Sequence, residues 1–299
     1  MNYEKPILLD GGFGRELEKN NVDISASLWS GNAFYGHLDI IKKIHRDFIE
    51  AGADVITSNT YALTNYYLSK ANKEKDQIGL LNTAYRLARE AIEESGKKVY
   101  LAASIPPLSE SYRSDLVDEK KLFKEYYELV KCALENNVDI ILGETFSTKA
   151  EAKALLEVCR GIKKDLWISF TVNEDGNLRS DELLEEAAYN CLENDAQAVL
   201  VNCASVSNIL KSIEKFKKLS ESGYFIYGAY ANKFYEIRKD FVLEDGLNII
   251  EKDLTKEIYA QEVKKWFDLG VKIVGGCCGI GSEYIKYLSE KIFLRKKDL

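Results

Sequence analysis

The six cysteines divide by their surroundings. Cys132, Cys159 and Cys191 lie inside helical repeats such as EYYELVKCALE and EAKALLEVCR, where a free thiol packs as a small hydrophobe. Cys203, Cys277 and Cys278 instead close β-rich runs, in VNC (201–203) and GGCCG (275–279). Three thiolates suit Zn2+, which binds sulfur at about 2.3 Å and favours four tetrahedral ligands. Three protein ligands leave one position open, the feature that separates a catalytic zinc from a structural one. Two other readings fit the same spacing. One is unligated thiols packed beside a glycine turn. The other is a phosphate site built from backbone N–H groups near Gly275–Gly281.

Three thiolates donate strongly and leave a bound Zn2+ with a net negative charge, which disfavours activating water. Such a centre suits an incoming thiol, which loses its proton on binding and stays nucleophilic. A free thiol with a pKa of about 8.5 is mostly protonated at neutral pH, so the metal supplies the thiolate. The matching electrophile is an alkyl group on a cationic centre, because a negative site repels anionic donors. Asp10 and Glu144 are candidates to hold a substrate ammonium, and N–H groups near Gly11 and Gly12 to receive a carboxylate. Each has a plainer role as well: Asp10 as a turn former, Glu144 as a helix N-terminal charge.

These residues need a scaffold, and the periodicity supplies one. β-rich runs at 6–12, 53–60, 98–105, 138–145, 166–172, 198–203, 224–230 and 271–278 alternate with helical patterns at 38–51, 77–95, 118–136, 148–160, 181–194, 206–221, 255–269 and 282–293. Eight βα units predict a single-domain (β/α)8 TIM barrel over residues 1–299. In that fold, chemistry sits where the strands end. Asp10, Asn59-Thr60, Glu144, Asn202-Cys203 and Gly275–Gly279 all fall there, and strands six and eight end near enough for their cysteines to meet. A doubly wound sheet is disfavoured because the first turn, Gly11-Gly12-Phe13-Gly14-Arg15-Glu16, lacks the last glycine of a dinucleotide motif. The longer excursions, 13–37, 106–117 and 231–254, belong to the catalytic face. His37 and His45, in or before the first long helix, are expected as surface or interface residues rather than ligands.

Composition narrows the setting. With 46% apolar residues the 299-residue chain can build a core, and no run approaches the length of a membrane span. A net charge of −7 argues against nucleic acid, and patches such as Lys217-Lys218 and Arg295-Lys296-Lys297 read as solvated faces. Free cysteines without an export signal point to a reducing, cytoplasmic setting.

At these residues the chain resembles the zinc-dependent homocysteine S-methyltransferase family. The matches are LLDGGFGREL (8–17), SLWS (27–30), ITSNTY (56–61), GETFSTKAEAKALLE (143–157), ISFTV (168–172), VNC (201–203) and GGCCG (275–279), in family order along nearly the whole chain. The resemblance implies Cys203, Cys277 and Cys278 as zinc ligands, and Asp10 and Glu144 as contacts for the substrate amino group. It also implies methyl transfer from a donor to homocysteine, giving methionine. Gly11, Gly12, Thr60 and Asn202 complete the expected substrate set, with Trp29, Tyr230 and Asn232 on the donor side. Trp29 would cover a sulfonium by a cation–π contact. The compact length and SLWS look most like the S-methylmethionine-using members.

Two segments depart from the family pattern: Ser104-Ile105-Pro106-Pro107-Leu108-Ser109, where S-[IV]-G-P-Y-G is usual, and Tyr230-Ala231-Asn232-Lys233-Phe234, where Y-P-N-S-G is usual. Proline at 106 removes an N–H and fixes φ, so the donor side is the less determined half. The competing readings are a non-catalytic zinc- or thiol-binding barrel and a metal-free phosphate-binding lyase or isomerase. Oligomeric state and the exact acceptor, another thiol or a selenol included, are not readable from the sequence.

Overall fold

Eight β-rich runs become eight parallel strands: β1 (Ile7–Leu8), β2 (Val55–Thr57), β3 (Tyr100–Ile105), β4 (Ile140–Phe146), β5 (Asp165–Phe170), β6 (Ala198–Asn202), β7 (Ile226–Tyr230) and β8 (Ile273–Val274). The structure is a computed structural model that describes residues 1–25, 28–223, 225–234, 237–238, 240–241 and 253–294. Ser27 of the SLWS match, Tyr224 at the head of the seventh expected strand, much of the 231–254 excursion and the patch Arg295-Lys296-Lys297 lie outside the described residues.

Neighbours around the sheet run β1-β8-β7-β6-β5-β4-β3-β2. A parallel Leu9–Val55 bridge joins its two ends. There the Asp54 N–H donates to the Leu8 carbonyl at 2.7 Å and the Asp10 N–H to the Val55 carbonyl at 3.1 Å. The expected (β/α)8 barrel is the fold. β1 and β8 are shorter than the sequence predicts because their glycine runs leave the ladder. The Gly276 N–H instead donates to the Asp10 carbonyl at 2.9 Å, tying the two turns together.

Between the strands lie α1 (Phe13–Lys19), α2 (Leu38–Ala51), α3 (Asn65–Ser69), α4 (Gln77–Ser95), α5 (Glu119–Glu135), α6 (Lys149–Val158), α7 (Leu184–Glu193), α8 (Val206–Ser220), α9 (Lys256–Asp268) and α10 (Ser282–Lys291). The short α1 and α3 add to the eight helices expected. α6 starts with the capping box read from Thr148 and Glu151: each side chain bonds the other residue's N–H. α2 ends at Gly52, whose φ of 102° is the left-handed C-cap. No described helix is long and apolar enough to cross a membrane.

Strand alternation builds two cores. Ile140, Leu142, Ala198 and Leu200 fill the barrel interior, while Ile141, Val199 and Val201 pack outward under the helices. Cys132, Cys159 and Cys191 are buried in the outer layer, as expected.

His45 corrects the sequence reading. It is fully buried in α2, 4.8 Å ring to ring from Phe13, and neither ring nitrogen has a hydrogen-bond partner. Position 45 shares the inward stripe of Ile41, Ile44 and Phe48, and α1 covers what would otherwise be its exposed edge. Burial lowers its pKa to about 3, so the imidazole is neutral.

Candidate metal centre and substrate pocket

Asn202 continues the inward alternation of β6 and ends it as a buried anchor. Its side-chain carbonyl accepts from the Thr145 N–H at 3.1 Å and the Ser169 hydroxyl at 2.6 Å, and its amide donates to Thr145 Oγ1 at 2.8 Å. A regular strand would turn the next residue outward. Cys203 has left-handed backbone instead, with φ of 50°, and its sulfur lines the cavity at the barrel mouth. Across that mouth the GGCCG turn packs directly on the turn after β1: a Cβ at Gly12 would lie 2.5 Å from the Cys277 carbonyl oxygen. Glycine is required there for close approach of two backbones.

The three ligand sulfurs of Cys203, Cys277 and Cys278 lie within 4.8 Å of one another, and those of Cys203 and Cys278 are 3.8 Å apart. Zinc bonded to sulfur at about 2.3 Å with tetrahedral angles requires sulfurs about 3.8 Å apart. The donor set therefore fits the ion. Among the described residues this is the one group of three or more His, Cys, Asp or Glu side chains able to hold a metal. The phosphate reading loses three of its donors, since the N–H groups of Gly276, Cys277 and Ile280 bond the carbonyls of Asp10, Ala231 and Cys277 at 2.9, 2.9 and 3.0 Å. Without metal the trio shares charge unequally. Burial pushes the Cys203 thiol up, but hydrogen bonds from Cys277, Cys278 and Tyr112 outweigh it and hold Cys203 well below the usual thiol range. Cys277 is pushed up by burial, and Cys278 by its contact with Cys203.

Asp10 and Glu144 line the same cavity. Asp10 accepts from the Thr57 N–H at 2.7 Å and the Thr57 hydroxyl at 3.0 Å, and Glu144 from the Ser104 hydroxyl at 2.7 Å. Burial pushes Asp10 up to about 8 and Glu144 up to about 7, and the charge of Glu144 raises Asp10 further. Among the described residues no basic side chain forms an ion pair with either carboxyl.

The other expected site residues separate. Gly11, Gly12, Trp29 and Tyr230 line the cavity. Trp29 starts a 3-10 turn with φ of 44° and sets its ring edge-on to Tyr61 at 5.9 Å. Thr60 and Asn202 sit beneath the cavity as supports; the Thr60 hydroxyl donates to the Ser104 carbonyl at 2.8 Å. Tyr230 is buried at the end of β7, and burial, with the nearby charges of Glu144 and Cys277, raises its pKa. Asn232 does not line the cavity; its amide faces the Cys203 sulfur at 4.0 Å. The placement of Asn232 follows from β7, which ends beside β6 and β8 and directs the residues after it toward the cysteines. The sequence reading did not single out Tyr112, Thr57 or Ser104. Thr57 and Ser104 belong to strand ends and were accessible to the same rim argument, whereas nothing local marks Tyr112.

Comparison with known proteins agrees with this geometry. A family model described as homocysteine S-methyltransferase matches residues 7–292. Homocysteine S-methyltransferase 1 of Brassica oleracea var. italica is 28% identical over 95% of this chain and 93% of its own length. Selenocysteine Se-methyltransferase of the same plant is 26% identical over 97% and 89%. The metallated form of the homocysteine methyltransferase MmuM from Escherichia coli superposes with a TM-score of 0.80 at 20% identity, covering 96% of each chain, and so shares the fold. With the family match spanning the barrel from its first strand to its last helix, the chain belongs to the homocysteine S-methyltransferase family.

Proposed function

We propose that this methyltransferase carries a methyl group from a cationic sulfonium donor, S-methylmethionine, to the thiol of homocysteine, with one zinc ion held by Cys203, Cys277 and Cys278. The observation that carries the reading is a juxtaposition: three sulfurs, the buried Asp10 carboxyl and the half-buried Glu144 carboxyl line one cavity. When bound there, zinc ionises the acceptor thiol at neutral pH without a protein base.

The chain's own residues orient the reactants. Asp10 and Glu144, without a basic partner among the described residues, gain one in the substrate ammonium, and Thr57 and Ser104 fix the two carboxyls from behind. The substrate carboxylate meets the N–H groups of the turn after β1, apart from that of Gly12, which bonds the Ile280 carbonyl at 2.9 Å. Trp29 closes the donor side over the sulfonium. In the transfer the acceptor sulfur forms a bond to the methyl carbon as the donor S–CH3 bond breaks. Its electron pair returns to the donor sulfur, so both products are neutral thioethers, two molecules of methionine. The six cysteines, all free of disulfides, suit a reducing cytoplasmic setting.

The test is methionine formation by purified protein from homocysteine with S-methylmethionine, run beside S-adenosylmethionine and betaine, together with metal analysis. The expected result is about one zinc per chain and fastest turnover with S-methylmethionine. Cys278→Ser is expected to lose most of both; full zinc occupancy and normal turnover in that variant would sink the ligand assignment.

A further inference from the structure

Tyr112 has no part in the scheme above, yet its position is held from every side. It belongs to the loop between β3 and α5, is 4% exposed, and places its hydroxyl 3.0 Å from the Cys203 sulfur. Its φ of 69° lies in the left-handed region, which disfavours a bulky aromatic residue and persists only where the surroundings impose it. Those surroundings are visible. The Arg179 guanidinium lies over the ring at 5.7 Å and Phe241 meets it edge-on at 5.8 Å. Just before it, the Ser111 hydroxyl shares a 2.6 Å hydrogen bond with Tyr61, and Glu110 pairs with Lys70 at 2.5 Å. Cys203 has positive φ as well, so two unfavourable backbones are held face to face.

We propose that Tyr112 is a positioning residue of the metal centre, whose hydroxyl donates a hydrogen bond to the Cys203 thiolate and draws charge from that sulfur. The proposal rests on the three-cysteine zinc reading. A metal-bound thiolate carries no proton, so the phenol is the only member of the pair able to donate. The Asn232 amide, at 4.0 Å from the same sulfur, is too distant to replace it. A sulfur that accepts a hydrogen bond gives less charge to its metal. With charge drawn from one of the three thiolates, the ion attracts a fourth, anionic sulfur more strongly. Tyr112 relieves one of them and so preserves affinity for the acceptor.

Metal-free, full-length protein titrated with Co2+ alone tests this through the near-ultraviolet thiolate-to-cobalt charge-transfer band. Tyr112→Phe is expected to move the band to longer wavelength, because the filled sulfur orbital is no longer stabilised. The cobalt form of this variant is expected to bind homocysteine about tenfold more weakly than wild type. Arg179→Met, which loosens the ring but keeps the hydroxyl, should shift the band the same way by less. Superimposable bands in wild type and Tyr112→Phe, with cobalt bound in both, would overturn the role of Tyr112 and leave the cysteine site standing. Absence of any thiolate band in wild type would overturn the zinc reading and this proposal with it. Should Tyr112→Phe lack native circular dichroism, Arg179→Met decides alone, and an unmoved band there overturns the proposal.

Discussion

Asp10 and Glu144 keep protons that the same residues in an unfolded chain have released, since their folded values of about 8 and about 7 stand above the ordinary 3.8 and 4.5. The native chain then binds more protons than the unfolded one across that window, so their contribution makes the ligand-free fold lose stability as pH rises from about 4 through 7 and 8. An ammonium ligand reverses the balance, because it favours the ionised forms. Glu144→Gln is therefore expected to flatten the rise of homocysteine affinity between pH 6 and pH 8 and to raise KM roughly ten- to a hundredfold, the equivalent of losing a hydrogen bond to a charged group of about 1.5–3 kcal/mol. A KM–pH profile identical to wild type would remove Glu144 from ammonium binding. The structural thiols behave differently from Cys203: burial pushes Cys132 up to about 11 and Cys159 up to about 12, which keeps them protonated and inert.

Two elements carry expectations that rest on packing. α2 carries His45 into the outer core as a neutral imidazole with a pKa lowered to about 3 by burial. Between that value and the ordinary 6.5 the unfolded chain binds the extra proton, so stability falls as pH drops through this range. In His45→Phe, which keeps a ring against Phe13, the urea midpoint should fall less than that of wild type between pH 7 and pH 5. A parallel fall in both proteins would show that His45 does not drive the acid sensitivity. The second element is the pair of glycine turns after β1 and β8. In Gly12→Ala the new methyl meets the Cys277 carbonyl, and backbone rather than a flexible side chain must yield. The expected outcome is zinc released to a chelator at least about tenfold faster, with the thermal midpoint of the metal-free protein lowered by only a few degrees. Equal release rates would mean that the turn does not set the cysteine geometry.

Across the whole molecule, the ligand sulfurs come from chain segments 75 residues apart, joined through β7, α8 and α9. A metal that binds only the folded arrangement stabilises it by mass action, about 2.7 kcal/mol at a hundredfold excess over Kd, or roughly 4 °C in a chain of this size. Chelation should lower the wild-type midpoint by that amount and leave Cys203→Ser unmoved; a wild-type midpoint indifferent to chelator would contradict a folded-state metal site. The barrel itself was legible because strand and helix periodicities are local, and eight alternations leave few architectures. The sulfur trio, both carboxyls and the glycine turns were legible because a barrel sends each strand end to one rim, so position along the strand already implies position in the site. What local pattern could not decide was direction. Asn202 points inward and becomes a support, while left-handed backbone brings Cys203 to the cavity; Asn232 reaches sulfur instead of the pocket mouth, and His45 is buried. Tyr112 reaches Cys203 across 91 positions of sequence. Such placements depend on backbone angles at strand ends and on side chains contributed by remote loops, and only the closed, packed barrel fixes either.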